Sequence, residues 1–250
     1  MLDREIYIDE LVISITRFCN LECDHCLRGD KQRRRIKDKY INALFQELSS
    51  RNIRVGCVTL TGGEPSLAIE RIDYIADAIH HYRLDVCYWH IATNGTCKSR
   101  KFMDALAHLA RNVDDPETCT LRISFDIHHY GQWEKEDFYQ LQDEILFEAG
   151  FDIQLSFRGA PLDDRLLVNM GRAENWGRTK PQEFDIEVSV DNQISISLMM
   201  NEKGDLFSAC DLSWEVQDSH ERFYLGNIEE GFDETVVKYV KEKLDEISNS

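Results

Sequence analysis

Leu121-Arg122-Ile123-Ser124-Phe125-Asp126 is the stretch that separates two ways of arranging this chain. Extended backbone places Leu121, Ile123 and Phe125 on one face and Arg122, Ser124 and Asp126 on the other. Residues 151–158 repeat the pattern, with Phe151, Ile153, Leu155 and Phe157 opposing Asp152, Gln154, Ser156 and Arg158. Nearer the N-terminus, Ser14 and Thr16 stand opposite Leu11, Ile13 and Ile15. A parallel sheet covered by helices on both faces reads as apolar throughout. Strands with one polar face fit instead a curved sheet, with helices outside and a polar ligand held on the concave side.

Strand-like and helix-like runs alternate on either side of that stretch. Strands are expected at 11–17, 54–61, 86–93, 119–126 and 151–158, with helices at 36–50, 67–83, 98–111 and 133–149. In the second helix Ile69, Ile72, Ile75 and Ile79 form one stripe. Repeated βα units imply parallel strands with right-handed crossovers. The expected fold is α/β: a partial (β/α)6 TIM-like barrel with a small β-hairpin-plus-helix C-terminal extension. After Met170 the spacing changes. Residues 185–200 alternate like strands, 201–204 read as a turn, 205–210 as a returning strand and 233–247 as an amphipathic helix carrying Val236, Val237, Val240, Leu244 and Ile247. The division expected is a barrel over 1–180 and an extension over 181–250.

The 250 residues hold 46 acidic and 29 basic side chains, a net charge of −17. That balance repels phosphate backbones and anionic lipid, so general nucleic-acid binding and membrane association are not expected. No run approaches the ~20 apolar residues of a membrane span, and the N-terminal residues lack a secretory pattern. A cytoplasmic location is expected. The basic run from Lys31 to Lys39 reads as a solvated loop and helix start, with an acidic substrate or a reducing partner as the sharper alternative.

Eight cysteines in such a chain do not read as a disulfide framework. Cys57, Cys87, Cys97, Cys119 and Cys210 are scattered, which suits small buried side chains. Cys19-Asn20-Leu21-Glu22-Cys23-Asp24-His25-Cys26 is different: three thiols crowd into eight residues directly after the first strand. Structural zinc normally closes its tetrahedron with a second pair of ligands, and no second pair exists here. A 4Fe–4S cluster held by three thiolates keeps one iron open, as catalysis requires. Structural zinc with His25 or a distant fourth ligand is the alternative.

This loop resembles the signature of the radical S-adenosylmethionine (radical SAM) superfamily, C-x3-C-x2-C after the first barrel strand. Gly62-Gly63-Glu64-Pro65 is similar to the family's GGEP, Thr93-Asn94-Gly95 to its TNG, Ser124-Phe125-Asp126-Ile127-His128-His129 to an S-x-D-x-x-H, and Gly171-Arg172-Ala173 to a late GRA. The resemblance implies that Cys19, Cys23 and Cys26 hold a 4Fe–4S cluster and act in catalysis, with S-adenosyl-L-methionine chelating the open iron. Gly62 and Gly63 would let the backbone approach the methionyl amino group, and Glu64 would accept a hydrogen bond from it. Thr93, Asn94, Ser124 and Asp126 would bind the ribose or methionyl part, and Arg172 the carboxylate; His25 stands where the family often has an aromatic residue near the adenine. A reductant such as flavodoxin or ferredoxin would supply one electron, giving a 5′-deoxyadenosyl radical that takes a hydrogen atom from substrate. Residues 202–228 look like a SPASM or twitch extension stripped of its auxiliary cluster ligands, since Cys210 is the only cysteine after Cys119. Such tails favour a peptide or protein side chain as substrate. A sugar or nucleoside, activation of a glycyl-radical enzyme, and a non-catalytic zinc or cluster module are the other readings.

Overall fold

The computed structural model describes residues 4–97, 99–124, 154–158, 170–174, 180–189 and 193–249. The expected helix at 133–149, Asp126, His128 and His129 lie outside the described residues. Strands β1 (Ile6–Thr16), β2 (Val55–Gly62), β3 (Val86–Thr93), β4 (Thr120–Ser124) and β5 (Gln154–Arg158) pair in parallel, each with the next. Helices α1 (Asp38–Ser50), α2 (Ile69–Tyr82) and α3 (Arg100–Ala110) pack outside them.

These helices form where the apolar spacing is helical. Ile41, Leu44, Phe45 and Leu48 of α1 are buried at i, i+3, i+4 and i+7, and Ile72, Ile75, Ala76 and Ile79 of α2 repeat the stripe. The hydroxyl of Ser99 caps α3 by accepting the Phe102 N–H, and Arg83 ends α2 in the left-handed conformation. Their apolar faces cover Leu11, Ile13, Ile15, Val58, Leu60, Trp89, Ile91, Leu121 and Ile123, all completely buried. On the opposite face of the strands, Ser14, Thr16 and Thr59 are buried too, and Thr59 donates to the Glu10 carboxylate at 2.5 Å.

The C-terminal residues continue this sheet. β6 (Glu187–Val188) pairs antiparallel with β7 (Ile194–Met200), and β7 lies parallel to β1 along its free edge, from Ile6↔Ile194 to Ile13↔Met200. The turn at 201–204 leads to β8 (Asp205–Phe207), antiparallel to β7, and β9 (Tyr224–Asn227) follows on β8. The order is β5-β4-β3-β2-β1-β7-β8-β9, and the barrel does not close. Sequence spacing foresaw the hairpin but not its attachment: Ile194, Ile196, Leu198 and Met200 are completely buried because β1 supplies an edge for them. Two shorter differences have local causes. The returning strand stops at Phe207, where the chain leaves the sheet, and α4 (Trp214–Ser219), capped by Ser213, was not anticipated. The last helix opens with a π turn at Asp233–Val237 before α5 (Lys238–Ser248), and Ile247, expected on the apolar stripe, is 54% exposed at its frayed end.

Candidate active site

The C-terminal end of β1 is laced to its neighbours through backbone. The Gly63 N–H donates to the Thr16 carbonyl at 2.7 Å and the Glu64 N–H to the Phe18 carbonyl at 2.8 Å. On the other side the Arg17 N–H donates to the Arg34 carbonyl at 2.9 Å, and the Gln32 N–H to the Arg17 carbonyl at 3.1 Å. A Cβ on Gly62, whose φ is +136°, would lie 2.1 Å from the Thr16 oxygen; one on Gly63 would lie 2.3 Å from the Phe18 oxygen. The space beside both glycines is therefore filled by the chain leading into the cysteine loop. At both positions the approach of two backbone segments is itself a reason for glycine, beside the one the resemblance implies. Gly63→Val, which the amino-group argument would have sensitive mainly in cofactor affinity, is now expected to disturb folding first. Gly63→Ala alone should cost about 1–3 kcal/mol, read as a lower Tm; an unchanged Tm would contradict the packing.

Glu64 is 1% exposed, and its carboxylate joins the ends of β2 and β3. Oε1 accepts from the Ser66 N–H at 3.0 Å and the Thr93 hydroxyl at 2.6 Å, while Oε2 accepts from the Asn94 N–H at 2.7 Å. Burial pushes its pKa up, and the hydrogen bonds of Asn94, Ser66 and Thr93 pull the other way. A carboxylate offers about four lone-pair positions. Donors among the described residues use three, and a fourth position on Oε2 is available to an ammonium or hydroxyl donor.

Asn94 carries the connection on to the cysteines. Its Nδ2 donates to Asn20 Oδ1 at 2.9 Å and reaches Cys19 Sγ at 3.8 Å. Its Oδ1 accepts from the Thr96 N–H and hydroxyl, and Asn20 Nδ2 donates to Thr96 Oγ1 at 2.7 Å. Cys19 Sγ also accepts from the Leu21 N–H at 3.4 Å, and the Cys26 N–H donates to the Cys23 carbonyl at 3.1 Å. All three cysteines are half-buried and in no disulfide, and half-buried His25 sits in the turn between the second and third. Burial pushes the Cys19 thiol up, assisted by the negative charges of Glu64, Cys26 and Cys23, so the three sulfurs share one field. Among the described residues, no three His, Cys, Asp or Glu side chains are gathered tightly enough for a single metal ion.

Gly171-Arg172-Ala173 backs the same loop. The Arg172 N–H donates to the Cys26 carbonyl at 2.9 Å, and Gly171, at φ +57°, is so close that a Cβ would lie 2.3 Å from the Leu27 oxygen. The Arg172 guanidinium runs past Gly29, donating to its carbonyl at 3.4 Å, and lies 3.6 Å from the Asp30 carboxylate. Ser124 is half-buried at the C-terminal end of β4, on the same rim of the sheet. The rim thus gathers Cys19, Cys23, Cys26, His25, Gly62, Gly63, Glu64, Thr93, Asn94 and Arg172, with Ser124 one strand further on.

Several contributors were not foreseen. Asn20 and Thr96 flank recognised motifs, and only their adjacency could have drawn attention to them. Arg17, Arg28 and Trp214 meet across nearly two hundred residues of sequence and left no local signal. In the basic run, Lys31 pairs with Glu22, Arg34 lies 3.9 Å from Glu202, and Arg35 and Lys39 pair with Glu70 and Glu229. Burial pushes the Cys57 thiol up to about 11 and those of Cys119 and Cys210 up to about 12, so these remain neutral side chains.

The fold and site define a class: an open βα barrel whose C-terminal rim carries a loop of three thiols. Residues 13–127 match the family described as the Radical SAM superfamily. The segment is a radical SAM domain, of a superfamily of enzymes whose members use a 4Fe–4S cluster and S-adenosylmethionine and need a reductant and a substrate. Similar solved structures include BtrN in complex with AdoMet and 2-DOIA, at 17% identity and TM-score 0.56, covering 91% of this chain and 81% of that one. Another is anSMEcpe with bound AdoMet, at 14% identity and TM-score 0.53, covering 90% and 75%. The same enzyme with AdoMet and the Cp18Cys peptide gives 12% identity and TM-score 0.53, covering 89% and 77%. At these identities the likeness is one of fold. No curated protein matches the sequence. Among the described residues, no helix is long and apolar enough to cross a membrane.

Proposed function

We propose that Cys19, Cys23 and Cys26 hold the 4Fe–4S cluster and that the rim of the barrel binds S-adenosylmethionine beside it. The observation that carries this reading is the loop itself: three half-buried thiols, fixed from below by Gly63 and Glu64, from one side by Asn94 and from the other by Arg172. Three thiols in one loop with no second pair of ligands suit a cluster, where each binds its own iron and one iron stays open, better than a closed zinc tetrahedron. When bound, the cluster supplies the electron that splits the sulfonium bond into methionine and a 5′-deoxyadenosyl radical, which takes a hydrogen atom from substrate. The chain's own residues orient the cofactor. A lone pair on Glu64 Oε2 accepts from the methionyl ammonium. Thr93 and Asn94 act through Glu64 and the cysteine loop, Arg172 faces the carboxylate, and Ser124 and Asp126 serve the ribose. His25 lies toward the adenine.

The substrate in this reading is a peptide or protein side chain, the reductant a flavodoxin or ferredoxin, and the setting the cytoplasm. Residues 1–180 act as the barrel, and 181–250 as a SPASM- or twitch-like extension that walls the barrel mouth without a cluster of its own. The fold likeness to anSMEcpe, solved with a peptide, supports the peptide; the likeness to BtrN, solved with 2-DOIA, supports a small molecule as the second reading. The reconstituted enzyme, S-adenosylmethionine, a reductant and the peptides encoded beside its gene, incubated anaerobically, should yield a peptide of altered mass. Unaltered peptides together with an altered small molecule would favour the second reading. For the extension, Cys210→Ala should leave iron content and cofactor cleavage intact, because the thiol is a half-buried neutral group packed against Val12, Met199 and Leu212. Loss of about four irons on that change would show that the tail binds a cluster.

A further inference from the structure

The cysteine loop is gripped by the C-terminal segment as well as by the barrel. After β8 the chain turns onto the concave side of β1, where Ala209 and Leu212 pack with Val12, Met199 and Phe207. There the Cys210 and Leu212 carbonyls each accept a hydrogen bond of 2.7 Å from Nη1 of Arg28, two residues beyond Cys26. The Trp214 N–H donates to the Arg28 carbonyl at 3.0 Å, so Arg28 is held by both its backbone and its side chain. The Trp214 ring carries two guanidiniums, with Arg17 4.7 Å and Arg28 5.5 Å from its centre.

The two arginines differ in what neutralises them. Arg17 meets two carboxylates, Glu202 at 2.8 Å and Asp218 through a fork of two 2.8 Å bonds. Arg28 is bonded to two neutral carbonyl oxygens and makes no ion pair with a described residue; the groups that can reach it with negative charge are Cys210, Asp211 and, in the cysteine loop itself, Cys26. A guanidinium keeps its proton at any working pH. An incompletely neutralised cation beside a cluster favours the added electron and raises the reduction potential, since net charge and hydrogen bonding set that potential.

We propose that residues 208–214 are a clamp that holds the Arg28 guanidinium beside the cysteine loop, and that this fixed charge raises the reduction potential of the cluster bound there. Arg28 is thereby a positioning residue that governs how readily the first electron arrives. The inference rests on the reading that Cys19, Cys23 and Cys26 hold the cluster.

Two measurements test it. Wild-type, Arg28→Lys and Arg28→Gln proteins, reconstituted anaerobically, are titrated with a reductant while the reduced cluster is followed by electron paramagnetic resonance. Lysine keeps the charge and should keep the potential. Glutamine should shift the reduced-to-oxidised ratio at fixed poise about tenfold toward oxidised, or 59 mV downward for a one-electron couple. Equal potentials for wild type and Arg28→Gln would overturn the electrostatic role. Hydrogen exchange on metal-free protein tests the clamp: Arg28→Gln and Trp214→Ala should each speed exchange at residues 26–30 at least tenfold, and unchanged rates would refute it. Wild-type protein that takes up no iron would defeat the cluster reading instead, while the metal-free exchange would still judge the clamp.

Discussion

Replacing Cys19, Cys23 and Cys26 together with alanine is expected to take bound iron from about four atoms per chain to none, and cofactor cleavage to the level seen without protein. The other cysteines lie apart from this loop: Cys57 and Cys119 are buried, Cys97 and Cys210 pack against the core, and Cys87 lies on β3 away from its C-terminal end. The fold should survive. Cys19 Sγ accepts from Leu21 at 3.4 Å and from Asn94 at 3.8 Å, both of them long, weak contacts to sulfur. Their loss costs about 1 kcal/mol. Iron analysis and circular dichroism on one sample separate the two effects: iron gone with the spectrum unchanged is the expected pair of results, and robust cleavage by the triple variant would sink the assignment.

Arg17→Ala is expected to be the most destabilising single change. Arg17 is completely buried and Glu202, its partner at 2.8 Å, is 2% exposed, so truncation leaves a carboxylate inside the protein with half-exposed Arg34, 3.9 Å away, as a weaker counter-charge. Breaking a buried pair from one side costs about 3–5 kcal/mol. Chemical denaturation should show that loss, and Arg17→Met combined with Glu202→Leu should recover most of it, because the orphaned charge goes too. Asp218 adds a pH signature. Burial opposes its ionisation, but the hydrogen bonds of Arg17 and Lys203 outweigh it and hold the carboxyl down to about 2. A carboxyl with a depressed folded pKa stabilises above its unfolded value near 3.8. That contribution fades as pH falls from about 4 toward 2. Screening at a group one-third exposed reduces it to about 1 kcal/mol, and Asp218→Asn should flatten the stability profile over that window.

The barrel was legible because parallel βα units with one polar strand face write their pattern locally. Leu121 and Ile123 are buried and Arg122 is exposed, as alternation requires. The cysteine loop, Glu64, Thr93 and Asn94 were legible as motifs, and they meet on the rim because each follows a strand end. Three things were not legible. The pairing of β7 with β1 depends on which edge is free, and no residue in 194–200 encodes that. Arg17 and Arg28 look like ordinary loop cations until Glu202, Asp218 and the carbonyls of 210 and 212 arrive from the far end of the chain. The glycine pair at 62 and 63 was found for a ligand's sake, yet its nearest neighbours are the Thr16 and Phe18 carbonyls.

The central claim is that the three-thiol loop carries a cluster that cleaves S-adenosylmethionine. Its most direct test is anaerobic reconstitution of the intact chain with iron and sulfide, addition of S-adenosylmethionine and dithionite, and quantitation of 5′-deoxyadenosine and methionine. Formation of both products in equal amounts, dependent on Cys19, Cys23 and Cys26, is the result expected. A chain that loads about four irons and binds S-adenosylmethionine, yet yields neither product under dithionite, would contradict it.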